Sequence, residues 1–166
     1  MFATHHDAVR RYVVRRQVGA LVDDTIADTF LVAWRRLDEI PDRTLPWLLG
    51  VARRVLADQR RAVRRRRSLS ERLHVGALTD GVARDWEPPA GLTPEIASAL
   101  AALTEHEREA LLLLAWDGLS ATDAARVAGC SAAAFRVRLH RARKRVADRL
   151  GVEEAVSTNA IKEKLT

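Results

Sequence analysis

The chain has 166 residues, 48% of them hydrophobic and 5% aromatic, and a formal net charge of +6. This length allows one medium domain or two small ones, and five prolines and eight glycines are too few for a disordered or β-rich chain. The single cysteine, Cys130, excludes an internal disulfide and a cysteine-cluster zinc site, and no apolar run is long enough to span a bilayer. We therefore expect an all-α cytoplasmic protein that holds no metal and does not insert into a membrane.

The charge is unevenly distributed. Residues 52–67 and 126–149 each carry a net charge of +7, so the rest of the chain carries −8. Two basic segments on an otherwise acidic chain indicate a polyanion that is contacted at two places.

Three helices are predicted in the first part of the chain. The first covers residues 7–20, and the second runs from about residue 23 to residue 37 with acidic residues in its first turns. A loop at residues 38–44 precedes a third helix, which starts near Pro46 and ends near Arg67 in the arginine cluster. The spacing of the second helix predicts one buried stripe, formed by Ile26, Phe30, Trp34 and Leu37.

Residues 68–92 lose this periodicity and contain three glycines and two prolines. They predict a flexible linker with one short helix at most, around residues 70–78. A structureless loop of this length is uncommon inside one domain, so we expect domains at residues 1–67 and 93–151. No role is predicted for the tail at 152–166.

The second domain carries the pattern of a helix-turn-helix. Ser120 and Ser131 are predicted helix caps, and Gly129 suits the turn between the two helices. Phe135 and Leu139 start an inner stripe, so the opposite face of the last helix is expected to meet DNA. Arg136 is the best placed side chain for a bidentate contact with guanine, and neighbouring basic residues, Arg145 included, suit phosphates. The predicted DNA-contacting residues are Ala132, Ala133, Arg136, Val137, Arg138, His140, Arg141, Arg143 and Lys144.

No set of residues suggests catalysis. The chain lacks a nucleophile elbow and a glycine-rich phosphate loop, so neither a cofactor nor a small-molecule substrate is expected. A nucleic-acid-processing enzyme is therefore the weakest interpretation. A helix-turn-helix regulator of the response-regulator output type, and an adaptor that binds polymerase without DNA, stay open as alternatives.

The arrangement resembles the extracytoplasmic-function (ECF) sigma factors of bacteria, within the sigma-70 superfamily, over residues 2–150. The segments that carry the resemblance in the first domain are residues 22–30, 33–37, 46–48 and 52–58. Those in the second domain are Leu103 and residues 107–113, 116–120, 129–131 and 138–143.

The resemblance implies a sigma-two-like and a sigma-four-like domain that together bind core RNA polymerase and promoter DNA. The second domain would read the upstream promoter element. In the first domain, the loop at 38–45 would capture a flipped base of the downstream element, and neighbouring residues would hold DNA: Arg43, Arg53, Arg54, Gln59 and Arg60. The implied polymerase contacts are Asp23, Asp24, Asp28 and Phe30. An anti-sigma factor is a further implied partner.

Overall fold

The computed structural model describes residues 2–16, 21–73, 88 and 91–151. Within these residues the chain forms seven α-helices and one short 3-10 helix, Leu37–Glu39, and this confirms the all-α prediction. The helices are α1 (Phe2–Val14), α2 (Leu21–Arg35), α3 (Thr44–Leu73), α4 (Pro94–Ala101), α5 (Glu105–Ala115), α6 (Ala121–Ala128) and α7 (Ala132–Leu150). None of the helices in these residues has both the length and the apolar character needed to cross a membrane.

Helices α1–α3 form an N-terminal unit around buried side chains from all three helices. Tyr12 and Leu48 are among its largest fully buried residues, and α2 adds Ile26, Phe30 and Ala33. Helices α4–α7 form a C-terminal unit around Leu100, Leu111, Leu113, Phe135, Leu139 and Val146. Burial of apolar surface is the main force that holds such helices together.

One predicted core residue of α2 lies at the surface. Trp34 is 72% exposed, and Ala33 takes the place in the core that the spacing predicted for Trp34. The prediction was wrong because each four-residue step turns a side chain about 40° further around the helix. Two steps after Ile26, that drift moves Trp34 off the buried face, and Leu37 lies beyond the end of the helix.

Helix α3 is longer than the sequence predicted. It begins at Thr44 and continues to Leu73, six residues past the expected end near Arg67. Arginine, leucine and glutamate favour helix, and no glycine or proline interrupts the chain between Leu48 and Leu73 except Gly50. The short helix expected around residues 70–78 is therefore, up to Leu73, the end of α3, and residues 74–78 lie outside the described part.

The two units pack against each other. Helix α3 contacts α6, and the buried residues of both units form one continuous cluster. The end of α1 reaches the turn between α5 and α6, where Arg15 Nη1 donates to the carbonyl oxygen of Trp116 at 2.7 Å. The domain boundaries at residues 67 and 93, and a tail beginning at residue 152, stay predictions, because residues 74–87 and 152–166 lie outside the described residues.

Candidate nucleic-acid interface

The helix-turn-helix is held by local hydrogen bonds. Gly129 has a φ of 64°, and the amide groups of Gly129 and Cys130 donate to the carbonyl oxygens of Arg126 and Ala125 at 3.2 and 3.1 Å. This pair of bonds is the Schellman arrangement that ends a helix. Ser131 Oγ then accepts the amide of Ala134 at 3.2 Å and starts α7. The turn therefore fixes the direction in which α7 leaves α6.

The basic face of α7 points away from the core. Phe135, Leu139 and Ala142 are buried on its inner side, where α7 packs on α4, α5 and α6. Among the nine predicted DNA-contacting residues, Arg138 and Arg143 are half-buried. The other seven are exposed, as a recognition helix requires: Ala132, Ala133, Arg136, Val137, His140, Arg141 and Lys144.

Arg145, predicted to neutralise phosphate, has a partner inside the C-terminal unit. Its Nη1 lies 2.7 Å from Oε2 of Glu107, a buried residue of the capping box at the start of α5. In that box the Glu107 amide donates to Thr104 Oγ1, and the Thr104 amide donates to Glu107 Oε2. Arg145 thus helps to neutralise a buried carboxylate and fixes α7 on α5.

The predicted downstream contacts lie along the seam between the two units. Arg43 Nη2 is 2.8 Å from Asp123 Oδ2, a buried carboxylate of α6. Arg53 makes two hydrogen bonds to Glu109 of α5, at 2.5 and 3.0 Å. The hydrogen bond with Glu109, with its negative charge in support, raises the pKa of Arg53 despite partial burial.

The other three predicted downstream contacts, Arg60, Gln59 and Arg54, differ in their surroundings. Arg60 Nη2 donates to the carbonyl oxygen of Arg16 at 2.7 Å, and its Nη1 lies 3.6 Å from Glu105. Gln59 Oε1 lies 2.7 Å from the Thr25 hydroxyl, so Gln59 links α3 to α2. Arg54 is exposed.

A cavity of about 460 Å³ opens beside the loop that was predicted to capture a base. Pro41, Asp42 and Arg43 from the loop line it together with the start of α3. Trp47 and Arg54 supply an aromatic and a cationic wall, and Arg126 reaches in from α6. A π-face beside guanidinium groups suits a nucleobase with its phosphate.

An ion-pair network closes the seam at the end of α1. Arg16 Nη2 lies 2.6 Å from Asp117 Oδ2, with side chains only 8% and 5% exposed. The Arg16 guanidinium also stacks on the Tyr12 ring, with its carbon 3.7 Å from the ring centroid. Burial tends to lower the pKa of Arg16, but the negative charge of Asp117 and the neighbouring Tyr12 raise it overall.

Sequence reasoning missed the acidic side of this seam. Glu105, Glu109, Asp117 and Asp123 pair with arginines of the N-terminal unit. The available signal was the net charge of −8 outside the two basic segments, which includes these four carboxylates. The net charge indicated that these carboxylates needed basic partners, but it did not identify those partners.

The residues predicted to bind polymerase divide into two groups. Asp23, Asp24 and Asp28 are exposed on α2. Phe30 is only 8% exposed and stacks on His6, with ring centroids 6.1 Å apart. Phe30 is therefore a core residue, as the predicted stripe had it, because it shares the buried face of α2 with Ile26. The exposed face of α2 also presents Leu31 and Trp34.

Comparison with known proteins gives consistent matches. The family described as Sigma-70, region 4 matches residues 94–146. The chain is 38% identical over 145 residues to the ECF RNA polymerase sigma factor SigC of Mycobacterium tuberculosis, a match that covers 85% of this chain and 76% of that protein.

Two solved structures are also similar. The structure of CnrH in complex with the cytosolic domain of CnrY matches with a TM-score of 0.58 and 28% identity, and covers 90% of this chain and 84% of that chain. The sigma factor RpoE from Bartonella quintana, in complex with the anti-sigma factor NepR, matches with a TM-score of 0.67 and 24% identity. That match covers 92% of this chain and 95% of RpoE, and it supports the fold.

Proposed function

The chain belongs to the ECF sigma factors of the sigma-70 superfamily, and from this premise we propose that it binds core RNA polymerase and directs promoter-specific transcription initiation. The observation that carries the proposal is that relatives match both units of the chain, and not the helix-turn-helix alone. A regulator of the response-regulator output type would share only the helix-turn-helix. Sigma factors act by binding, so we infer that the chain is not an enzyme and works in the cytoplasm with the polymerase.

The C-terminal unit is proposed to read the upstream promoter element in the major groove. Arg136 and Val137 are exposed in the first turns of α7, where a recognition helix meets base edges. An arginine fork there can bind guanine, and Val137 offers an apolar contact to a thymine methyl group. Arg141 and Lys144 follow on the exposed side and suit phosphates.

The N-terminal unit is proposed to hold the downstream element and the polymerase. The cavity at Trp47 is proposed to take a flipped base, with Arg54 beside it for the backbone. Asp23, Asp24 and Asp28 form the proposed polymerase contact on the exposed face of α2, beside Leu31 and Trp34. Charged residues around apolar anchors are the usual composition of a protein interface.

An anti-sigma partner is also proposed. It rests on the similarity to CnrH, whose structure contains the cytosolic domain of CnrY.

Transcription with purified components tests the main proposal. The full chain is added to bacterial core polymerase and genomic promoter fragments, and specific run-off transcripts are expected only when both proteins are present. Core polymerase alone, and core with heat-denatured chain, are the controls. Absence of a transcript together with absence of core binding would refute the proposal. Tight binding of the chain alone to a two-fold symmetric operator would instead support the regulator.

A further inference from the structure

The seam between the two units pairs predicted DNA contacts of α3 with carboxylates of α5. Arg53 donates from Nε and Nη2 to the two carboxylate oxygens of Glu109. Further along α3, Arg60 Nη1 lies 3.6 Å from Glu105, one turn before Glu109 on α5. A guanidinium binds phosphate with the same paired donors that it offers to a carboxylate. The two glutamates of α5 therefore occupy positions that phosphates of a DNA strand would take.

A third pair holds the loop that was predicted to capture a base. Arg43 Nη2 lies 2.8 Å from Asp123 Oδ2, and Asp123 Oδ1 accepts a hydrogen bond from Arg126 at 3.1 Å. Asp123 is a buried residue in the first turn of α6. Arg126 also lines the cavity at Trp47. Helix α6 therefore binds the arginine of the loop and forms part of the wall of the cavity proposed for the flipped base.

The recognition face of α7 is not covered in this way. Helix α7 packs on α4, α5 and α6 of its own unit. Seven of its nine predicted DNA contacts are exposed, with Arg136 and Val137 in the first turns and Arg141 further along the helix. The packed chain therefore presents one of its two proposed DNA-binding surfaces and covers part of the other.

Contacts deeper in the seam hold the two units in this arrangement. Arg16 and Asp117 form a buried ion pair, and Arg15 Nη1 donates to the carbonyl oxygen of Trp116. Buried residues of α3 and α6 belong to one continuous apolar cluster. Breaking a buried ion pair costs far more than breaking an exposed one. The pairs that cover the DNA contacts are therefore kept in place by residues outside the predicted DNA contacts.

We propose that the packing of the two units is an autoinhibitory contact, in which carboxylates of α5 and α6 occupy the downstream DNA contacts until the units separate, while α7 stays free to read the upstream element. The two promoter elements are then bound in a fixed order, the upstream element first. Downstream DNA competes with the carboxylates, and each phosphate that an arginine neutralises releases condensed counterions. This inference rests on the proposed sigma function, because it takes Arg43, Arg53 and Arg60 as DNA contacts.

Small-angle X-ray scattering of the full chain measures separation of the units. Glu105→Lys with Glu109→Lys places positive charges against the arginines of α3, so the radius of gyration should rise. The matched control, Asp7→Lys with Asp148→Lys, makes the same change of charge at two exposed positions, one on each unit, and should keep the radius of the wild type. If the reversal variant loses helical content by circular dichroism, Glu105→Gln with Glu109→Gln replaces it and should give a smaller rise.

Fluorescence anisotropy with a labelled single-stranded DNA of mixed sequence and about 12 nucleotides, within the usual site size of such surfaces, measures release of the downstream contacts. The reversal variant should bind more tightly than the wild type and the control at low salt. Its plot of log K against log salt should be steeper by about 2, because each of the three released arginines adds about 0.7. Adding Arg53→Gln to the reversal variant should reduce that slope by about 0.7.

A mixed-sequence duplex tests whether α7 is free in the packed chain. Arg141→Gln should weaken duplex binding by the same factor in the wild type and in the reversal variant, because Arg141 is exposed whether or not the units are packed. Weakening in the reversal variant alone would show that the packed chain also covers α7, and would overturn the proposed order of binding.

Three further results would overturn the autoinhibitory contact. The first is an unchanged radius and slope in the reversal variant. The second is an equal change in the control, which would assign the effect to net charge. The third is a larger radius without a steeper slope, which would show that the released arginines do not bind DNA. Run-off transcription with the wild type separates these results from the sigma function, because a promoter-specific transcript supports that function whatever the scattering and anisotropy show.

Discussion

Arg16 and Asp117 are 101 residues apart in the chain, yet their side chains meet 2.6 Å apart in the interior of the protein. Arg16 lies in the turn that follows α1, and Asp117 lies in the turn between α5 and α6. Their ion pair thus joins the unit proposed to bind polymerase to the unit that carries the helix-turn-helix.

Loss of the Asp117 carboxylate should destabilise the fold. Asp117→Ala leaves the buried Arg16 guanidinium without its countercharge, and breaking a buried pair in this way costs about 3–5 kcal/mol. Urea denaturation measures the free energy of unfolding. The matched control is Asp58→Ala, which breaks the exposed ion pair with Arg61 and should cost less than about 1 kcal/mol. Equal effects of the two variants would contradict a buried seam.

The stability of the chain should fall above pH 10. Tyr12 has a pKa of about 12 in the folded state, against 10.0 for the free side chain. A raised pKa means that the folded state holds the proton more tightly than the unfolded state does. The stability that this preference adds is complete below pH 10 and is lost as the pH rises to 12. The loss is up to about 3 kcal/mol, at about 1.4 kcal/mol per pKa unit.

Tyr12 is the single tyrosine of the chain, so near-ultraviolet absorbance of the phenolate reports its titration directly. Denaturation of the wild type at several alkaline pH values, compared with Tyr12→Phe, isolates its contribution. Tyr12→Phe should remove this part of the pH dependence and keep full stability at neutral pH. An ordinary titration midpoint near 10 would show that Tyr12 is not buried.

Arg136→Ala should weaken use of the upstream promoter element. A bidentate arginine–guanine contact is worth about 1–3 kcal/mol of discrimination, so transcription from a matching promoter should fall roughly 5- to 150-fold. Binding to core polymerase should not change. Arg149→Ala, an exposed arginine in the last turn of α7, serves as the control for charge alone. A similar loss in both variants would assign the effect to phosphate attraction.

Charge reversal on α2 should weaken binding to core polymerase. Asp24 and Asp28 are exposed four residues apart on one helix, so Asp24→Lys with Asp28→Lys changes the surface and not the core. Affinity for core polymerase, measured by fluorescence anisotropy, should fall about tenfold or more, since like charges across an interface are unfavourable. Asp148→Lys, at an exposed position on α7, is the control. This variant should keep the affinity of the wild type for core polymerase.

Removal of the Glu109 charge should make Arg53 available to DNA. Arg53 is a proposed DNA contact and forms two hydrogen bonds with Glu109. Glu109→Gln should tighten binding of a single-stranded downstream-element oligonucleotide up to about fivefold, the range of one partly exposed charge pair. Asp7→Asn, which removes the same charge from an exposed residue of α1 outside the proposed DNA contacts, is the control. Unchanged binding in Glu109→Gln would show that Arg53 does not contact the strand.

Local sequence signals predicted the C-terminal unit well. The helix caps Ser120 and Ser131 and the turn glycine Gly129, with its positive φ, are all present. They were predictable because each depends on residues within a few positions of one another. The inner stripe of α7 was predictable for the same reason, because the spacing of its apolar residues fixes which side of the helix packs on α5 and α6.

Predictions that depended on how the helices pack against one another were less accurate. Trp34 was predicted in the buried stripe of α2, but it lies at the surface and Ala33 takes its place in the core. A single helix can present two plausible apolar faces, and only the position of α1 and α3 decides which of them is buried. The predicted DNA contacts Arg43, Arg53 and Arg60 face carboxylates of the C-terminal unit, and the sequence did not show which ones.

The sequence by itself determined the helices, their caps, the turn of the helix-turn-helix and the basic outer face of α7, because short-range backbone and side-chain chemistry specifies each of them. Only the tertiary structure decided that Arg16 meets Asp117, that Arg53 meets Glu109, and that Tyr12 closes a cavity among arginines. The physical reason is that the attraction between two charges depends on their distance in space and not on their separation in the sequence. Any of the carboxylates could neutralise any of the arginines, and the packing of α6 on α3 selects the pairs.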